Sequence, residues 1–108
     1  MYYDIKEYIS PTGKSYFKAW FATLSIQVAY KITAALYKME QGNFSNTKSV
    51  GGGVWEFKID SGPGYRVYFA KIGKNMMLLL AGGTKRGQNK DIQLATELLK
   101  NYKKKTLH

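Results

Sequence analysis

Cysteine is absent from the 108 residues, which excludes a disulfide framework, a cysteine-ligated zinc or iron-sulfur site and thiol catalysis, and fits a reducing cytoplasm. Histidine occurs once, as the last residue, His108. An enzyme made of this chain therefore lacks the usual near-neutral proton carrier and has to work with Lys, Arg, Asp, Glu or Tyr. No His, Asp and Glu residues stand at metal-ligand spacing, so neither a metal nor another cofactor is expected. Long apolar runs are missing too. The longest, Met76 to Ala81, is far short of the roughly 20 residues of a membrane span. The opening MYYDIKEYIS carries Asp4, Lys6 and Glu7 where a secretory signal would be apolar, so no signal peptide and no membrane association are expected. There is no internal repeat and no Pro/Gly/Ser linker, and the length suits one domain over residues 1–108.

Acidic residues are scarce: 7 Asp+Glu stand against 17 Lys+Arg, a net charge of +10. That surplus favours a polyanionic partner through counterion release and steering, with nucleic acid first. It is not only a tail effect, because the body stays positive without Lys100, Lys103, Lys104 and Lys105. Hydrophobic residues make up 44% of the chain, including 9 Tyr, 5 Phe and 2 Trp, enough for a packed core and too much for disorder.

The hydrophobic period changes along the chain. Tyr2 to Ile9 alternates loosely and ends at Ser10-Pro11-Thr12-Gly13, which predicts a first strand. Phe17, Trp20, Phe21 and Leu24 then fall at helical spacing. Ser25 reads as an N-cap, and Val28, Ile32, Ala35 or Leu36 and Met39 continue to a stop at Gly42-Asn43, so a helical hairpin is expected. From Gly53 the period is two. Trp55, Phe57 and Ile59 point to a core, and Val54, Glu56, Lys58 and Asp60 to a charged open face. After Ser61-Gly62-Pro63-Gly64 a strand from Tyr65 to Ile72 sets Val67 and Phe69 against Arg66 and Tyr68. Met76 to Gly83 is apolar on both faces and reads as a central strand. A helix from about Gly87 to Lys104 follows, with Ile92, Ala95, Leu98 or Leu99 and Tyr102 on one stripe. The order is β-α-α-β-β-β-α.

Three segments carry a family likeness: Glu56-Phe-Lys58-Ile, then Gly62-Pro-Gly-Tyr65-Arg66-Val-Tyr68-Phe, then Leu78-Leu-Leu-Ala-Gly82-Gly-Thr-Lys85 with Gln88 and Asp91-Ile. With this element order, the chain resembles the RelE/HigB superfamily of toxin-antitoxin toxins, specifically its addiction-module killer branch. The match is strongest from Lys48 to Ala95. The resemblance implies an α+β fold, a small RelE-like antiparallel sheet with helices packed on one face. It implies a type II toxin, a metal-independent endoribonuclease acting on ribosome-bound mRNA to inhibit translation. Its partners would be mRNA, the ribosome and a cognate helix-turn-helix (HigA-like) antitoxin, in the cytoplasm. A catalytically idle RNA- or ribosome-binding module of the same fold, held mainly in an antitoxin complex, is the alternative. Lys58 and Arg66 match strand-borne basic residues of the family's active face, and Lys85 a basic position after the last strand. Glu56 stands where the RelE branch has a second lysine, and Asp91 where it has a tyrosine.

RNA cleavage without a metal needs a group to deprotonate the 2′-hydroxyl, cations to neutralise the phosphoryl oxygens and an acid for the leaving 5′-oxygen. Glu56, Lys58, Arg66 and Lys85 are the candidate catalytic residues. Glu56 is either the general base, with Lys58 as the alternative, or a structural partner that holds Arg66 or Lys85. Lys85 and Arg86 follow Gly82-Gly83, where absent side chains would let a phosphate approach, and precede a helix N-terminus. Lys48, Tyr68, Arg86, Gln88 and Asp91 are candidate RNA contacts, Tyr68 by stacking. Against these stand plainer roles: solvated strand and loop cations, and helix-capping for Gln88 and Asp91.

Overall fold

The computed structural model describes residues 2–106; His108 lies outside them. The element order is β1 (Asp4–Glu7), α1 (Tyr16–Phe21), α2 (Ile26–Glu40), β2 (Thr47–Gly51), β3 (Val54–Ile59), β4 (Tyr65–Ile72), β5 (Met76–Thr84) and α3 (Gln88–Thr106), the last preceded by a short 3-10 turn, Lys85–Gly87. This is an α+β fold, as the sequence predicts. The hairpin helices start where Ser15 and Ser25 cap them: their side-chain oxygens accept from the Lys18 and Val28 backbone N–H. Ser15 Oγ also donates to Glu7 Oε1 at 2.6 Å, fastening α1 to the end of β1.

The five strands form one sheet in the order β1-β5-β4-β3-β2. Strands β2 to β5 are antiparallel neighbours, whereas β1 runs parallel to β5, with Asp4 opposite Met76 and Glu7 opposite Leu79. The sheet is therefore mixed rather than antiparallel, because the two-helix connection carries the chain from one edge of the sheet to the other. Strand β2 was not foreseen. It is a short polar edge strand, joined to β3 through Gly51, Gly52 and Gly53, all at positive φ.

The helices do not share one face. Phe17 of α1 and Val28, Ile32 and Met39 of α2 pack on Phe57, Val67, Phe69, Met77 and Leu79. On the other side, Ala95, Leu98 and Leu99 of α3 pack on Val54, Tyr68, Ala70, Leu78 and Leu80. The expected single helical layer is corrected on physical grounds. Strands β4 and β5 are apolar on both faces, and a sheet of that kind has to be covered twice. The close fit shows at Gly82, where a Cβ would collide with the Trp20 ring of α1. Trp55, expected in the core, is half-buried at its edge, with Lys71 Nζ 4.1 Å from its ring centroid.

Candidate functional site

Strand register collects most of the candidate residues on the α3 face. Lys48 on β2 is opposite Glu56 on β3, which is opposite Tyr68 on β4. In the next row Lys58 is opposite Arg66, and Arg66 is opposite Gly83. This face is not open, as the alternation of charges suggested. The first turns of α3 lie over it, and Glu56 and Arg66 are left only 2% and 7% exposed.

Burial makes Glu56 and Arg66 a unit. Arg66 Nε lies 2.5 Å from Glu56 Oε1. The contact is an ion pair rather than an aligned hydrogen bond, and Arg66 Nη1 has no hydrogen-bond partner. From α3, Gln88 Nε2 donates to both Glu56 oxygens, at 3.2 and 3.1 Å. Glu56 thus faces a guanidinium on one side and an amide on the other, which supports the positioning role over that of a free base. Arg66 Nη1 lies toward Gly64: a Cβ there would sit 3.5 Å from it and 3.7 Å from Lys85 Cβ. The backbone N–H of Lys85 donates to the Gly64 carbonyl at 2.9 Å. The Gly64 turn therefore brings Arg66 and Lys85 together, while Lys58 is the cross-strand neighbour of Arg66.

Of the candidate cations, Lys48, Lys58, Lys85 and Arg86 are exposed. Lys58 Nζ pairs with Asp60 at 3.4 Å, both side chains well exposed, a contact of little energetic weight.

Three expectations are corrected here. Tyr68 is completely buried beneath α3, so it cannot stack on a base. Its hydroxyl has no hydrogen-bond partner, and burial, reinforced by Glu56 and Asp91, pushes its pKa well above the ordinary tyrosine value. Gly82 and Gly83 offer no opening to a phosphate, because the Trp20 ring covers the first and the Asp91 carboxylate the second. Gln88 serves Glu56, which helical spacing could not reveal, since the two are 32 residues apart. Asp91 occupies the first turn of α3, as expected of a residue matched to the helix dipole. Burial against Gly83 raises its pKa above the ordinary carboxylate value, opposed by Lys90. Among the described residues no group of His, Cys, Asp or Glu comes together to hold a metal.

Residues 19–100 match the family described as phage-derived protein Gp49-like (DUF891). The chain belongs to this Gp49-like family. The family is associated with toxin-antitoxin systems and related to addiction-module killer proteins. A Haemophilus influenzae protein described only as uncharacterized is 40% identical over 80 residues, 73% of this chain and 81% of its own length. Every candidate residue, from Lys48 to Asp91, lies inside the Gp49-like match. No helix among the described residues is long and apolar enough to cross a membrane.

Proposed function

We propose that this Gp49-like protein is the toxin of a type II toxin-antitoxin pair, of RelE/HigB kind, and that it cleaves mRNA on the ribosome in the cytoplasm without a metal. Residues 1–108 would form its single domain, and a small helix-turn-helix antitoxin would be its partner. The observation that carries this reading is the buried Arg66, fixed at Nε by Glu56 and unpartnered at Nη1 beside Lys85. A guanidinium so held is preorganised to stabilise charge on a phosphoryl group, where electrostatic effects are largest. Lys58, exposed and across the strand pair from Arg66, is placed to exchange protons with the reacting oxygens. Glu56 and Gln88 position Arg66, and Lys48, Lys85 and Arg86 steer the RNA backbone on a +10 chain.

Induction in cells, followed by mapping of mRNA ends, tests the proposal: growth arrest with new in-frame 5′ ends is expected, and intact mRNA under arrest would refute it. A second reading, an idle RNA- or ribosome-binding module, draws support from the closure of Glu56 by Gln88 and Arg66, which removes the one carboxylate suited to be the base. Binding to ribosomes without cleavage would establish that reading instead.

A further inference from the structure

On the face away from Glu56, the end of β3 and helix α2 enclose a groove of about 470 Å³, within the size range of recognition pockets. Its floor is apolar, made by Ala35, Met39, Phe57 and Ile59. Its rim carries the cations Lys31 and Lys38 of α2 and the polar Asn43, Ser45 and Asn46 of the loop that follows; Lys58 and Asp60, at the end of β3, pair with each other and leave no net charge there. The apolar surface continues outward along α2, where Ile26, Tyr30 and Tyr37 are 85%, 73% and 64% exposed. Spacings of four and seven residues place the three side chains on one side of the helix. A helix of a monomer rarely leaves three large apolar residues uncovered together.

We infer that this groove docks an acidic amphipathic segment of a partner protein. Apolar side chains of the segment fill the floor and lie along the Ile26, Tyr30 and Tyr37 stripe, and its carboxylates meet Lys31 and Lys38. The charge surplus steers an acidic partner to the groove, and the apolar floor retains it. RNA suits the groove less well, because its phosphates would meet only the polar rim and leave the apolar floor of Ala35, Met39, Phe57 and Ile59 uncovered. The segment would reach the rim beside Lys58, the one candidate catalytic residue bordering the groove. The inference rests on the reading that the chain works with a protein partner, and it is independent of whether the chain cleaves RNA.

The test uses the full chain and a fluorescent helix-forming model peptide with leucines on one stripe and glutamates elsewhere, with binding followed by anisotropy at physiological salt. Charge reversal at the rim, Lys31→Glu with Lys38→Glu, is expected to weaken binding about tenfold or more, and filling the groove by Ala34→Phe about fivefold. The same charge change at the end of α3, Lys104→Glu with Lys105→Glu, should alter binding by less than about twofold. Equal losses from the two charge reversals would reduce the effect to net charge and overturn the inference. So would an unaffected Ala34→Phe variant, or displacement of the peptide from the groove by oligouridine. No cleavage is measured, so failure here leaves the toxin reading standing, and failure of the toxin reading leaves this result intact.

Discussion

Replacing Glu56 by Gln separates a positioning carboxylate from a catalytic base. The change keeps the shape of a side chain that is 2% exposed and removes only its charge. Arg66, 7% exposed, is then left as a buried guanidinium opposite an amide, with Nη1 already unpartnered. Breaking a buried pair from one side typically destabilises by about 3–5 kcal/mol, a large share of the roughly 5–15 kcal/mol that holds a domain together. At about 4–8 °C per kcal/mol for a domain near this size, the melting temperature should fall by at least about 12 °C. Calorimetry measures that shift directly. Single-turnover cleavage on programmed ribosomes, measured below the new melting point, reports the chemistry. A Glu56→Gln protein that melts within about 3 °C of the parent yet loses cleavage about 100-fold, the contribution expected of a positioned base, would refute the reasoning. The double replacement Glu56→Leu with Arg66→Met completes the cycle. Exchanging the whole pair for apolar side chains of similar volume should restore most of the stability without restoring cleavage. Arg66→Ala alone is a less clean probe, because it strands the Glu56 carboxylate with only Gln88 beside it.

Tyr68→Phe removes a buried hydroxyl that has no partner, so stability should rise or stay within about 1 kcal/mol, as read by chemical denaturation. Asp91→Asn should raise the melting temperature at neutral pH, since burial disfavours the ionised form. A carboxyl whose folded pKa is raised loses stability as pH rises from its ordinary value of 3.8 through the raised one; melts in an acidic series should therefore show the gain shrinking toward that ordinary value. Gly82→Ala should destabilise by about 1–3 kcal/mol or more through collision with Trp20, and Trp20→Ala in the same chain should relieve part of that loss. The proposed cleavage should persist in EDTA at concentrations that leave the ribosome intact, because charge stabilisation is assigned to Arg66 and proton exchange to Lys58; loss of cleavage would refute that assignment.

Where local rules apply, the sequence was legible. The Ser25 cap, the helical stripe from Val28 to Met39, the period-two strands and the doubly apolar β5 all follow from spacing, and each forms where spacing puts it; the Ser15 cap of α1 was not read from the sequence. What spacing cannot express is which elements meet. The charges of Glu56 and Arg66 alternate like those of a water-facing strand, and only the arrival of α3, packed through Ala95, Leu98 and Leu99, buries them. The same event turns Tyr68 from an apparent stacking platform into core. Yet one signal was present. Val54, Tyr68, Ala70, Leu78 and Leu80 share the face of Glu56 and Arg66, and so much apolar surface on one side of three strands requires a cover. The parallel pairing of β1 and the polar strand β2 carried no such mark, because pairing partners and edge strands leave little trace in composition.

Helix α3 changes character along its length, and this ties the fold to the site. Its middle supplies Ala95, Leu98 and Leu99 to the core, while its first turns bring Gln88 to Glu56 and Asp91 to Gly83. The apolar part anchors the helix; the polar part closes over Arg66. Arg66 in turn serves two directions at once, with Nε toward Glu56 and Nη1 toward the Gly64 turn and Lys85. A lysine has one nitrogen and cannot hold both positions. The ion pair with Glu56 holds the guanidinium at Nε, and under the proposed reading that contact decides where an anion beside Lys85 would be met. Under the proposed toxin reading, a departure from the RelE branch at Glu56 is then compatible with an anion site, because the charge that would act on a phosphate belongs to Arg66 and not to residue 56.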